Sequence, residues 1–201
     1  MIEKVTDNID RIYFPGVHTC NAYLIKDKKI LVDTGVMSLH DAFSKNLSLF
    51  PEEIDRIFFT HLHYDHVGCF DLFYNAKLYA SKDAIDSFHD DPGGSVYDVE
   101  TIKHLQKKMF TLLAYPPELE EENFTIIETP GHAQGSVCIL YNDNGTKIMF
   151  SGDLFFDTNF EVVGRTDLPT SSHEKLMVSL RKIQKYDYDI LCPGHGGVTL
   201  T

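Results

Sequence analysis

Short apolar, β-branched or aromatic runs bounded by turn residues recur along the chain: KKILVD (28–33), DRIFFT (55–60), AKLYAS (76–81), FTIIET (124–129), SVCILYN (136–142), TKIMFS (146–151) and YDILCP (188–193). Runs of this length and composition predict strands. Asn142-Asp143-Asn144-Gly145 joins two of them and predicts a hairpin, because Asn and Gly accept the left-handed backbone of a tight turn. Two segments carry a helical period instead. Over Ser38–Leu49, Leu39, Phe43 and Leu47 recur every four residues. After Ser171, with Glu174 completing a capping box, Leu176, Met177, Leu180 and Ile183 fall on one face. Both predict helices packed on a core.

Between Ser81 and Asn123 the strand rhythm stops. SKDAIDSFH predicts a short helix, DDPGGS a turn, and VYDVETIKHLQKKMFTLLAY a longer helix before the acidic ELEEEN. The block at about 82–122 thus reads as a helical insertion within one domain spanning 1–201. It is either a surface excursion or a lid whose Tyr97, Met109, Phe110 and Tyr115 shape a substrate pocket.

Composition narrows the setting. The 201 residues, 43% hydrophobic and 24% charged, suit one globular domain with a buried core. Eighteen Lys and Arg against 30 Asp and Glu leave a net charge of -12. With no basic stripe, such a surface repels a phosphate backbone, so no nucleic-acid partner is expected. The N-terminal MIEKVTDNIDRIYF has no apolar core of a signal peptide, and no run approaches the roughly 18 apolar residues of a membrane helix. Cys20, Cys69, Cys138 and Cys192 form no CxxC pair, which fits a reducing compartment; the expectation is a cytoplasmic protein without a membrane partner. Cys20 and Cys138 read as small buried hydrophobes, and Cys69 and Cys192 flank motifs without a thiolate-activating pattern.

The chemistry concentrates in THLHYDHVG, Thr60–Gly68. In an extended segment alternate side chains share a side, so His61, His63 and Asp65 converge while His66 approaches from the other. Imidazole and carboxylate donors without cysteine suit a catalytic metal site with positions left for water. Three later motifs add candidates: His132 in TPGHAQGS, Asp153 in FSGDLFF and His195 in CPGHGG, each at the carboxyl end of an expected strand. ILVDTG offers Asp33, read as an acceptor that orients a histidine rather than as a ligand. His18, His40, His89, His104 and His173 match no motif.

Taken together, Asp33-Thr34-Gly35, His61-x-His63-x-Asp65-His66, His132, Asp153 and His195 resemble the five motifs of the metallo-β-lactamase superfamily in order and spacing, over positions 33 to 197. The resemblance implies an α+β fold, the four-layer αββα sandwich, with two divalent metal ions at one edge: zinc first, with iron or manganese as alternatives. It makes His61, His63 and His132 ligands of the first metal, Asp65, His66 and His195 ligands of the second, and Asp153 the bridge. Asp65 is also the expected proton acceptor.

Branch features narrow the resemblance further. Exported β-lactamases usually differ at the position of Asp153 or His66. The flavodiiron branch needs a glutamate where His63 stands and a flavin domain, and the nucleic-acid branches carry extra domains or basic arms. VGRTDLP, Val163–Pro169, is similar to a segment of glyoxalase II-like thioesterases and persulfide dioxygenases; its Arg165 and Asp167 either line the substrate pocket or pair within a structural loop. The C-terminal helical region with which glyoxalase II grips glutathione has no counterpart after Gly197, which puts glutathione in doubt. The resulting expectation is a glyoxalase II-like hydrolase that cleaves a small-molecule thioester or ester through a metal-bridging hydroxide. A mononuclear iron persulfide dioxygenase using His61, His132 and Asp153, a lactonase and a non-enzymatic metal-binding module are the alternatives, and homo-oligomerisation is left open.

Overall fold

The computed structural model describes residues 1–16, 20–108 and 111–201. Among these residues the strands form two sheets that are each contiguous in sequence. The first holds seven strands in chain order: β1 (Ile2–Lys4), β2 (Ile9–Ile12), β3 (Ala22–Ile25), β4 (Ile30–Val32), β5 (Arg56–Phe58), β6 (Lys77–Ala80) and β7 (Leu112–Ala114). β1 to β4 are antiparallel neighbours, and β4 to β7 run parallel. The second sheet has five strands: β8 (Phe124–Glu128), β9 (Val137–Asp143), β10 (Thr146–Gly152), β11 (Ile190–Pro193) and β12 (Thr199–Leu200), in the order β12-β11-β10-β9-β8.

Every strand-like run of the sequence overlaps one of these strands, β9 and β10 each running one residue further, and the residues alternate between two packed faces. In β10, Ile148 and Phe150 join the core between the sheets while Met149 faces the other side; in β4, Ile30 and Val32 face inward and Leu31 outward. Burial on both faces explains why these strands read as continuous apolar runs rather than alternating ones. The central core unites Ile9, Tyr23 and Phe58 of the first sheet with Ile139, Phe150 and Cys192 of the second. On the outer face of the first sheet lie Phe43 of α1 (His40–Ser44), Phe88 of α3 (Lys82–Asp90), Val96 of α4 (Pro92–Val96) and Leu105 of α5 (Val99–Lys108). On the outer face of the second lie Leu176, Leu180 and Ile183 of α6 (His173–Ile183). The result is the expected α+β, four-layer αββα sandwich. The Asn142–Gly145 hairpin is present, with Asn144 at φ 53° and Gly145 at φ 100°.

Several elements differ from expectation. The helix expected over Ser38–Leu49 ends at Ser44: Asn46 Nδ2 donates to the Ala42 carbonyl, and Ser48 donates to Asp10 on β2, which draws the chain back to the sheet. DDPGGS is one helical turn, α4, capped by Asp91. The long helix expected up to Tyr115 stops at Lys108, and Leu112–Ala114 pairs with β6 as β7. α6 is capped by Ser172 rather than Ser171, whose hydroxyl turns back to Leu168, and Met177 faces solvent. β1, β2, β3, β7 and β12 escape the apolar-run criterion because they are short or carry buried polar pairs. Asp10 on β2 is satisfied by Lys26 at 3.0 Å and Ser48 at 2.7 Å. The four cysteines are free and buried. No helix among the described residues is long and apolar enough to cross a membrane.

Candidate metal centre

The candidate ligands gather where strand ends of the two sheets meet. β5 delivers Thr60–His63, and the short helix α2 (Tyr64–Val67) carries Asp65 and His66. The extended spacing therefore holds only as far as His63, and Asp65 reaches the cluster from a helical turn. His132 follows β8, Asp153 follows β10, and His195 follows β11. Each contributes a donor atom to one of three overlapping groups whose atoms lie within 4.8 Å of one another: His61, His63 and His132; His61, His66 and Asp153; and Asp65, His66 and His195. All seven residues are thus brought together. Asp33, at the end of β4 with φ 58°, stands behind them.

Hydrogen bonds on the far side of each ring fix which nitrogen is bare. Thr60 gives its single hydroxyl proton to Asp33 Oδ2 at 2.8 Å, so at 3.1 Å it accepts from His61 Nδ1, leaving His61 Nε2 without a proton. His66 Nδ1 donates to Asp33 Oδ2 at 2.9 Å, and His132 Nδ1 donates to the Arg165 carbonyl at 3.0 Å. Their Nε2 atoms are therefore acceptors in the neutral rings. His61 Nε2 and His132 Nε2 both lie 3.0 Å from His63 Nδ1, and at most one of these contacts can be a hydrogen bond. His66 Nε2 and Asp153 Oδ1 are buried, have no hydrogen-bond partner, and face each other at 3.3 Å. Asp153 Oδ2 lies 3.3 Å from both His132 Nε2 and His195 Nε2, and His195 Nε2 lies 3.5 Å from Asp65 Oδ2.

Acceptors so crowded in a dry setting call for a cation. The electrostatics divide the ligands in two. Burial, with the neighbouring histidines, holds His61 and His63 well below the ordinary histidine value, and burial lowers His132. His66 and His195 go the other way: against burial, the carboxylates of Asp153, Asp33 and Asp65 raise His66 well above that value, and Asp153 raises His195. Asp153 stays far below the usual carboxylate range, because His66 and His195 outweigh the burial that would raise it. Neutral His61, His63 and His132 and an ionised Asp153 are the forms in which these side chains ligate metals, and the positive charge that the carboxylates draw onto His66 and His195 stands where a cation would supply it, so the donor set fits a metal centre.

Glycines make the convergence possible. A Cβ on Gly164 would fall against the Asp153 carbonyl and 3.1 Å from His132 Cβ. At Gly194 it would lie 2.3 Å from Asp153 Oδ1 and 2.9 Å from His66 Cε1.

The cluster floors a cleft of about 770 Å³ whose walls include Arg11, Tyr13, Phe14, Asn21, Tyr64, Tyr97, Arg165 and Leu168. Arg11 and Asn21, which no motif marks, hold the His195 loop: Asn21 Nδ2 donates to the Pro193 and Gly196 carbonyls at 2.9 and 3.0 Å, and Arg11 Nη2 donates to Gly196 at 2.5 Å. The exposed Arg165 makes a two-pronged ion pair with Asp167, at 2.7 and 2.8 Å, while its carbonyl orients His132. Arg165 thus lines the cleft and also pairs within its loop. Of the residues expected to form a lid, Tyr97 lines the cleft, Tyr115 is committed to the Phe59 carbonyl, and Met109 and Phe110 lie outside the described residues, as does His18. His40 and His104 flank Asp71 at 3.4 and 3.5 Å, away from the cluster.

The chain is similar to known proteins over most of its length. The profile of the metallo-beta-lactamase superfamily matches residues 15–195. A probable metallo-hydrolase of Streptococcus pyogenes is 31% identical over 189 residues, 88% of this chain and 78% of its own length. The hydroxyacylglutathione hydrolase GloC of Haemophilus influenzae is 34% identical over 84 residues, 41% of this chain and 37% of its own. Among solved structures, a protein crystallised in a di-iron-bound form superposes with a TM-score of 0.67 at 23% identity, covering 94% of this chain and 93% of that one.

Proposed function

The chain belongs to the metallo-β-lactamase superfamily, and from that premise we propose that it is a hydrolase that cleaves a small-molecule thioester or ester with two divalent cations, zinc first. The observation that carries this reading is a crowd of buried metal-ligating atoms on the floor of one cleft: the unpartnered His66 Nε2 and Asp153 Oδ1 facing each other, with His61 Nε2 and His132 Nε2 both against His63 Nδ1. His61, His63 and His132 would hold the first cation, and Asp65, His66 and His195 the second. Asp153 would serve both, since Oδ1 faces His66 and Oδ2 faces His132. When bound, such a pair supplies water acidified to a pKa of about 7 and a positive field for charge developing on a carbonyl oxygen.

The remaining work falls to the chain. Asp33 locks His66 and, through Thr60, His61, so the ligands are oriented before a cation arrives. Asp65 has a side chain only 14% exposed and borders the cleft, where it accepts the proton released as the tetrahedral adduct collapses. A thiolate leaving group, with a parent pKa near 8.5, departs without a strong general acid. The partial likeness to a hydroxyacylglutathione hydrolase supports the thioesterase branch over about two-fifths of the chain.

The test is metal analysis of protein purified without added ions, followed by a panel of thioesters, esters, lactones and a persulfide. Two equivalents of metal and hydrolysis of a thioester or ester are expected. Oxygen consumption with the persulfide, or no turnover of any compound by fully loaded protein, overturns the proposal.

A further inference from the structure

The walls of the cleft carry a charge pattern that its floor does not explain. The two arginines on the walls are both engaged. Arg11 donates to Glu3 and Asn21 and to the Gly196 carbonyl, and its guanidinium lies 4.2 Å from the centre of the Tyr13 ring. Arg165 is held by both oxygens of Asp167. An exposed ion pair is weak, and Arg165 could turn toward an incoming anion. Doing so leaves the Asp167 carboxylate beside that anion, so the local charge still sums to nothing. On the floor, the charge of two divalent cations would be largely offset by the carboxylates of Asp33, Asp65 and Asp153, so a loaded centre leaves little net attraction at the walls, and the net charge of -12 on the whole chain adds a long-range penalty for an anionic ligand.

The uncharged part of the wall is more welcoming. Tyr13, Phe14, Tyr64 and Leu168 are each half-buried and present apolar surface. Tyr97 stands with its ring 4.8 Å from the His63 ring, its backbone in the left-handed region at φ 67°, and its hydroxyl buried without a hydrogen-bond partner. A tyrosine held in that backbone region is strained, and such strain concentrates at functional positions. The unpartnered phenol can donate to or accept from a neutral oxygen or amide, and it brings no positive charge to balance an anion.

We infer that this cleft selects an uncharged substrate: an apolar acyl group lies along the aromatic wall, its alcohol or thiol portion carries no charge, and a neutral polar atom meets the Tyr97 hydroxyl. Carriers bearing carboxylates or phosphates are disfavoured. The inference rests on the proposed hydrolysis for what happens next, and on the cleft alone for what binds.

Two thioethers with the same six-carbon chain separate the possibilities, because neither can be hydrolysed: S-hexyl-N-acetylcysteamine, which is neutral, and S-hexylglutathione, which is anionic. Calorimetric titration into metal-loaded protein at low ionic strength should show the neutral compound binding at least tenfold more tightly. Added salt should narrow the gap as the repulsion is screened. Asp167→Asn should narrow it too, by leaving Arg165 uncompensated. Tyr97→Phe, which removes only the hydroxyl, should weaken the neutral compound by about tenfold with metal content unchanged. Equal or tighter binding of S-hexylglutathione, or a Tyr97→Phe variant that binds the neutral compound like the parent, overturns the inference. Turnover of the matching hexanoyl thioesters reads the hydrolase proposal separately: tight neutral binding without turnover refutes hydrolysis and supports the selectivity.

Discussion

Gly194→Ala places one methyl group at the point where the sheets bring their ligands together. The added carbon would sit 2.3 Å from Asp153 Oδ1, where ordinary contact begins near 3.4 Å, so the carboxylate must retreat by about 1.1 Å. It cannot move freely: the same carbon meets the Gly152 carbonyl at 2.9 Å and His66 Cε1 at 2.9 Å, and Asp153 Oδ2 is aligned with His132 and His195 at 3.3 Å. Overpacking of this kind costs about 1–3 kcal/mol, which for a chain of this size lowers the Tm by roughly 2–12 °C. A displacement of about 1 Å in a positioned catalytic group costs on the order of 100-fold in rate. Gly197→Ala is the matched control, since a Cβ there meets nothing within 4 Å. Metal content after desalting, competition with a chromophoric chelator, and kcat/KM on the best substrate of the panel are the assays. Gly194→Ala should lose affinity for at least one metal and about 100-fold in kcat/KM while Gly197→Ala keeps both. If Gly194→Ala holds two metals as tightly as the parent with activity within twofold, Asp153 does not occupy the shared position assigned to it.

Three further expectations follow from the geometry. Asp153→Ala should abolish activity and metal binding together; full activity with both metals retained refutes the bridging role. Chelation should lower the Tm, because ligand at 100 times its Kd stabilises the fold by about 2.7 kcal/mol per site; a melting temperature indifferent to chelator argues against a resident metal. Asp98 accepts from the backbone N–H and the hydroxyl of Thr101 at the start of α5, at 2.8 and 2.7 Å, and these bonds hold its carboxyl below the ordinary range. Its contribution is therefore full above the unfolded carboxylate value and lost as pH falls through the lower folded one. Asp98→Ala should cost about 1 kcal/mol near neutral pH, and the gap from the parent should narrow as pH falls below the unfolded carboxylate value of about 3.9 in denaturant titrations; a gap that stays constant as pH falls below that value assigns the loss to something other than the ionised cap.

The readable parts of the molecule are those where side-chain type and spacing bear the information. Strands buried on both faces, such as β9 and β10, announce themselves as unbroken apolar runs, and the histidines of Thr60–Gly68 announce a metal. β2 was hidden because its Asp10 and Arg11 are buried with partners distant in sequence, which makes a core strand look like a polar segment. β7 was hidden because LLA continues the composition of the helix before it. The clamp on the His195 loop was hidden for a related reason: Arg11 and Asn21 grip backbone carbonyls, and nothing in the sequence of Pro193–Gly196 records which carbonyls will be gripped. Arg165 shows the limit most plainly. Its carbonyl, an atom every residue has, sets the tautomer of His132.

The two sheets are consecutive stretches of chain, β1 to β7 and then β8 to β12, and the ligand cluster draws His61, His63, Asp65 and His66 from the first and His132, Asp153 and His195 from the second. A cation bound there would be a rivet between an N-terminal and a C-terminal half, each supplying an incomplete set of donors. Capture of metal at full affinity would therefore report that both halves have folded and docked, and the fold would sense its own completion through the proposed site.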